Sequence, residues 1–170
     1  MSRRVLTAIA AVACAMVAAA PTWGAVASDP NDVAGGLDLR SVTATLGGSG
    51  LLTVTVRTWD PWSNGTLPAG SPNRLFVLFD VDSDGVTDYK ARLLSDAGTL
   101  IALITGQGQA FEPVPVQRPS GTKARFAFPA DVILLNGHLG VAARSVYKGG
   151  PCASACKDRA PDASWLEVVA

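Results

Sequence analysis

Nine consecutive residues carry the clearest chemistry in this sequence. The stretch Asp80-Val81-Asp82-Ser83-Asp84-Gly85-Val86-Thr87-Asp88 places carboxylates at relative positions 1, 3, 5 and 9, with glycine at 6. Calcium takes about six to eight oxygen ligands at about 2.4 Å, and alternate side chains on a curling loop converge on one point. The expected ligands are Asp80, Asp82, Asp84, the carbonyl of Val86, and Asp88 directly or through water. Gly85 permits the sharp turn. All of these donors are hard oxygens, so the expected ion is Ca2+. Position 12 is Ala91 and not the bidentate glutamate of an EF-hand, and the flanks alternate like strands. The loop therefore reads as the tip of a β-hairpin, residues 74–79 against 88–94, with a further ligand supplied from elsewhere or by water. A plain Asp/Gly turn is the alternative, because both residues favour turns. A bare turn has no need of four carboxylates. The expected role of the ion is structural, since no nucleophile or general base accompanies the loop.

Other residues with chemical potential are weaker signals. Trp59-Asp60-Pro61-Trp62 opens a polar loop, and indole faces on loops stack against sugar rings. The competing reading has Trp59 capping the core and Trp62 packing under its own loop. His138 is the lone histidine, which excludes a three-histidine zinc centre. No serine or cysteine elbow accompanies it. Gly106-Gln107-Gly108 is a loop without a phosphate-binding helix. Asp29-Pro30-Asn31-Asp32 reads as a frayed, solvated terminus, with a second cation site as the alternative. Glu112, Asp131 and Glu167 are scattered and name no glycosidase carboxylate pair.

These residues need a scaffold, and the periodicity supplies one. Short apolar alternation recurs between turn residues. Leu52, Val54 and Val56 alternate with Thr53, Thr55 and Arg57. Leu75 to Phe79 is apolar on both parities, as expected of a strand buried on both faces. Tyr89, Ala91 and Leu93 form a strand, as do residues 99–105, residues 123–128, residues 139–147 and the closing residues 165–169. In residues 37–46 the apolar parity slips, and a bulge near Arg40-Ser41 reconciles the two halves. Pro113, Pro115 and Pro119 confine residues 111–120 to an edge or a loop. Residues 129–135 read as one helical turn. About eight or nine strands result, predicting an all-β fold, an antiparallel, jelly-roll-like β-sandwich.

The N-terminus reads as an export signal. Arg3 and Arg4 precede an uncharged apolar run from Val5 to Ala20, and Ala25-Val26-Ala27 is a small-x-small cleavage sequence. Residues 1–27 are expected to be removed, by the general or the twin-arginine route, leaving residues 28–170 as one domain with no membrane span. An uncleaved anchor is the alternative. That domain holds 12 basic and 14 acidic side chains, so no polybasic footprint points to nucleic acid. It keeps two cysteines, Cys152 and Cys156, an even number in an oxidising compartment. A disulfide closing this short loop contributes about 2 kcal/mol by loop entropy and is expected to pin residues 149–163 as a loop. The predicted location is extracellular or in the cell envelope.

The order of motifs carries a resemblance. An early Asp29-Pro30-Asn31-Asp32 and Leu37-Asp38-Leu39-Arg40-Ser41-Val42 precede a Thr/Val strand ending in Arg57-Thr58-Trp59. The Phe79-Asp80-x-Asp82-x-Asp84-Gly85-x-x-Asp88-Tyr89 hairpin follows. This order resembles secreted bacterial β-sandwiches of the DOMON-like, carbohydrate-binding-module-family-9-like type, over residues 29–94. The resemblance implies a jelly-roll-like sandwich, a structural calcium and, in many members, sugar or haem binding. Haem is disfavoured, because residues 28–170 contain no methionine and only His138 as an axial candidate. An aromatic clamp for sugar falls on Trp62 with Trp59 or Tyr147. The leading expectation is thus a non-catalytic, calcium-stabilised module whose partner is a glycan or another cell-surface polymer. An envelope structural or protein-interaction domain, and a carboxylate-based glycan hydrolase, are the alternatives.

Overall fold

The structure, a computed structural model, describes residues 23–106, 108, 110–129, 133 and 138–168. Two antiparallel sheets pack face to face. The first has the order β1 (Trp23–Ser28), β2 (Leu39–Leu46), β3 (Leu52–Thr58), β9 (Lys123–Phe128), β8 (Val116–Ser120). The second runs β11 (Cys152–Ala160), β10 (Gly140–Gly149), β4 (Arg74–Asp80), β5 (Tyr89–Asp96), β6 (Thr99–Gly106), β7 (Glu112–Val114), with β12 (Leu166–Glu167) also pairing β10. The chain crosses between sheets at β3–β4, β7–β8 and β9–β10. Among the described residues no helix is long and apolar enough to cross a membrane.

Alternation explains the core. Val42, Val54, Val56 and Phe126 point inward from the first sheet, and Leu75, Val77, Phe79, Tyr89 and Leu93 from the second. Phe79 and Phe128 meet edge to face across the interface, with centroids 4.9 Å apart, a favoured arrangement of ring quadrupoles. β4 is buried on both faces because a smaller apolar cluster of Phe76, Leu78, Ala142 and Trp165 covers the outer side of its sheet. The parity slip in residues 37–46 is a real irregularity: Leu39 pairs Thr58 and Ser41 pairs Arg57, leaving Arg40 as the extra residue.

The strand count rises to twelve: residues 112–120 take the edge alternative expected for them, and two further elements, β11 and β1, differ from the sequence expectation. Residues 112–120 form two edge strands, β7 and β8, one on each sheet, with Pro115 between them. Proline's missing N–H is tolerated there, because an edge has a side without a ladder. Residues 152–160, expected as a loop, are the edge strand β11, paired with β10 from Ala143↔Ala160 to Gly149↔Cys152. Its small and charged residues hide the alternation. The disulfide Cys152–Cys156 is present, with Cα atoms 5.3 Å apart. Lastly, β1 consists almost wholly of residues assigned above to the export signal. It pairs with β2 from Trp23↔Leu46 to Ser28↔Ser41, and the expected cleavage point falls between its last two residues. The helical turn expected over 129–135 lies mostly outside the described residues.

Candidate functional site

The β4–β5 hairpin tip gathers three of the predicted ligands. Oxygen atoms of Asp80, Asp82 and Asp88 lie within 4.8 Å of one another. That is the span of two oxygens facing each other across an ion at about 2.4 Å. Asp80 is buried at 2 % exposure at the end of β4, while Asp82 is exposed and Asp88 half-buried. Backbone amides shape the loop around them. Ser83 and Gly85 donate to the two Asp80 oxygens at 2.8 and 2.9 Å, and Val81 donates to Asp88 at 2.8 Å. Each carboxylate oxygen has two lone pairs, so these bonds orient the oxygens and leave capacity for an ion. Gly85 has φ of +80°, the left-handed turn that glycine adopts without steric cost. Asp84 stands outside the group of three and accepts from the Val86 amide at 2.7 Å. The Val86 side chain is exposed.

A second acidic group lies where the two sheets meet at their flank. Asp29, Asp32, Asp38 and Asp158 also offer oxygens within 4.8 Å of one another. Asp29 follows β1, and its amide donates to the Arg40 carbonyl at 2.9 Å. Asp38 precedes β2, and its carbonyl accepts from the Trp59 amide at 2.9 Å. Asp158 reaches over from β11 in the other sheet to accept from the Leu39 amide at 2.6 Å. Asp29, Asp38 and Asp158 are 4 %, 3 % and 6 % exposed, and only Asp32 faces solvent. The expectation of a frayed terminus at residues 29–32 therefore fails at Asp29. Burial, reinforced by the neighbouring aspartates, pushes the carboxyls of Asp29 and Asp38 up to about 7. Burial also raises Asp158, against the pull of its two amide donors. Sequence reading missed Asp38 and Asp158. The only local signal for Asp38 was an acid between two leucines opening a strand, and Asp158 sits in a Lys-Asp-Arg run that reads as surface.

The aromatic residues do not form the expected clamp. Trp62 is 5 % exposed and belongs to the main core. Its amide donates to the Gly121 carbonyl at 3.0 Å, and the Arg118 guanidinium covers its ring at 4.6 Å. The loop folds inward because Leu67 also enters the core and its carbonyl accepts from the Ser95 amide at 2.7 Å. Trp59 is half-buried, with Arg40 over its ring at 4.6 Å. Tyr147 packs on the core with its ring against Gly35. His138 pairs with Glu167 at 3.2 Å on the surface. The chain matches no protein-family model, no curated protein and no solved structure. The DOMON-like resemblance accordingly rests on the motif residues themselves.

Proposed function

We propose that this chain is a non-catalytic β-sandwich module, stabilised by calcium and working outside the cell or in its envelope. The observation that carries the proposal is the convergence of Asp80, Asp82 and Asp88 at the tip of a hairpin whose first strand is buried from Leu75 to Asp80. An ion there neutralises like charges and rigidifies the β4–β5 connection. Two features speak against carboxylate hydrolysis. Paired glycosidase carboxylates stand about 5 to 9.5 Å apart across a cleft, whereas the acids here are bunched within 4.8 Å. In the second group three of the four are buried. Glycan stacking loses its best candidate with Trp62 in the core.

Thermal melts of the protein in calcium, in magnesium and in chelator test the proposal. Binding to the native state alone stabilises by about 2.7 kcal/mol when free calcium is about 100 times Kd. Tm is expected to rise in calcium specifically, and Asp82→Asn with Asp84→Asn is expected to shrink that rise. An undiminished rise in this variant would remove the hairpin from the proposal.

A further inference from the structure

We propose that Asp29, Asp32, Asp38 and Asp158 form a second calcium site, one that staples the β1–β2 end of the first sheet to the edge strand β11 of the second. This goes beyond the hairpin site and does not depend on it.

The group is more than a cluster of acids, because three of its oxygens are buried without partners. Both carboxylate oxygens of Asp29, and Oδ1 of Asp38, are shielded from solvent and accept no hydrogen bond. Buried polar groups are ordinarily paired, and an unpaired buried carboxylate is among the costliest exceptions. The side chain of Asp29 is 4 % exposed and its oxygens face the other three acids. Carboxylates so placed call for a positive charge among them.

The described residues do not provide it. Among the described residues no basic side chain is ion-paired with any of the four acids. Arg159, next to Asp158 in sequence, is committed elsewhere. Its guanidinium donates to the carbonyls of Pro161 and Ser164 and lies over the Trp165 ring at 5.0 Å. Arg144 and Lys157 line the open cleft beside Asp32 and Asp158 without pairing to them. A proton is the competing occupant, since Asp38 and Asp158 are placed to share one in a hydrogen bond. A single proton serves that one contact. It leaves Oδ1 of Asp38 and both oxygens of Asp29 bare, whereas one cation at the centre reaches an oxygen of all four residues.

The donor set selects the ion. Four carboxylates with no sulfur or nitrogen among them suit a hard cation. Magnesium demands near-ideal octahedra at about 2.0–2.1 Å and keeps several waters, while calcium accepts irregular shells at about 2.3–2.6 Å. Oxygens within 4.8 Å of one another, three of them on buried residues, suit the larger ion. Exposed Asp32 leaves the entry path and the place for water ligands.

Calcium titration calorimetry on metal-free protein produced from the full-length chain tests this. Two calcium ions per chain are expected, with magnesium failing to displace the second. Asp29→Asn with Asp38→Asn should abolish one ion, weakening its Kd by about 100-fold or more, and leave the hairpin ion in place. Asp82→Asn with Asp84→Asn should do the reverse. If the Asp29/Asp38 variant keeps the full wild-type calcium stoichiometry, the proposal is overturned. If only the hairpin variant keeps it, the hairpin reading falls and this one stands. Should the Asp29/Asp38 variant not fold, crystals of the unaltered protein grown with calcium decide the matter. An anomalous peak between Asp29, Asp38 and Asp158 supports the site, and water or a void there refutes it.

Discussion

Without calcium, the buried acids at the flank should make the protein lose stability as pH rises. Asp29 and Asp38 have carboxyls raised from 3.8 to about 7 by burial first and neighbouring aspartates second. Between those two values the native state holds protons that the unfolded chain has released. Stability is then fully present below pH 3.8 and is lost as pH climbs to about 7. The displacement of either group corresponds to about 4 kcal/mol. The two do not add, because part of each shift is the charge of the other. For a domain of this size about 4 kcal/mol is roughly a 10 °C change in Tm. The assay is a series of thermal melts in chelator from pH 4.5 to 7.5, on the unaltered protein and on Asp29→Asn with Asp38→Asn. Other titrating groups are common to both, so the difference between the two profiles isolates the pair. The unaltered protein should fall relative to the variant across this window and level off above it. Adding calcium at pH 7.5 should restore most of the loss in the unaltered protein and little in the variant. Parallel profiles in chelator would refute the claim that these carboxylates are buried without compensation.

Three further outcomes follow from the packing. Trp62→Ala should cost about 3–5 kcal/mol in urea unfolding, because it empties a core position; a cost near zero would return Trp62 to the surface. Gly106→Ala should cost about 1–3 kcal/mol and weaken hairpin calcium, since a Cβ there would overlap the Asp88 carbonyl and the Tyr89 backbone; an unchanged melt and calcium affinity would contradict that close approach. A chain starting at Ser28 should be less stable by about 1–2 kcal/mol than one starting at Trp23, because it lacks the β1 ladder and the packing of Ala25 and Ala27. Paired melts measure this, and the mass of the mature protein shows which form the cell makes.

What was legible in the sequence was whatever is encoded within one strand or one turn. The alternation of β3, β5 and β9, the double burial of β4 and the bulge at Arg40 are local patterns, and the fold has them. The convergence at Asp80, Asp82 and Asp88 is equally local, since nine residues of one turn bring it about. Edge strands escaped for a physical reason. β1 and β11 each have one side without a ladder, so the fold does not require strong alternation of them, and the same holds for β8, which the sequence left open between an edge and a loop. β1 is written in small apolar residues that read as the end of an export signal, β8 contains Pro119, and β11 carries small and charged residues in place of alternation. Trp62 was open to two readings because a tryptophan after a strand looks the same whether its loop folds in or out. Only the pairing of residues 67–69 with Ser95 decides that.

The two acidic groups differ in the same way, and the difference bears on what each does for the fold. At the hairpin, Asp80 and Asp88 are neighbours by virtue of the β4–β5 turn, and backbone amides already hold their oxygens. An ion there adds rigidity to a connection that the turn has largely organised. At the flank, Asp29 and Asp38 lie 120 or more residues before Asp158 in the chain, and the link between them runs from one sheet to the other. The sandwich is held there by apolar packing that ends at Leu37 and Leu39, and beyond it stand charges that repel. Closing long loops is where a cross-link restricts the unfolded chain most. A cation at the flank therefore does more for the whole fold than one at the hairpin. If the proposed ion binds, it turns a repulsive contact between the sheets into a link between the segment that leads into β2 and the edge strand β11, and the mating of the two sheets should then depend on calcium.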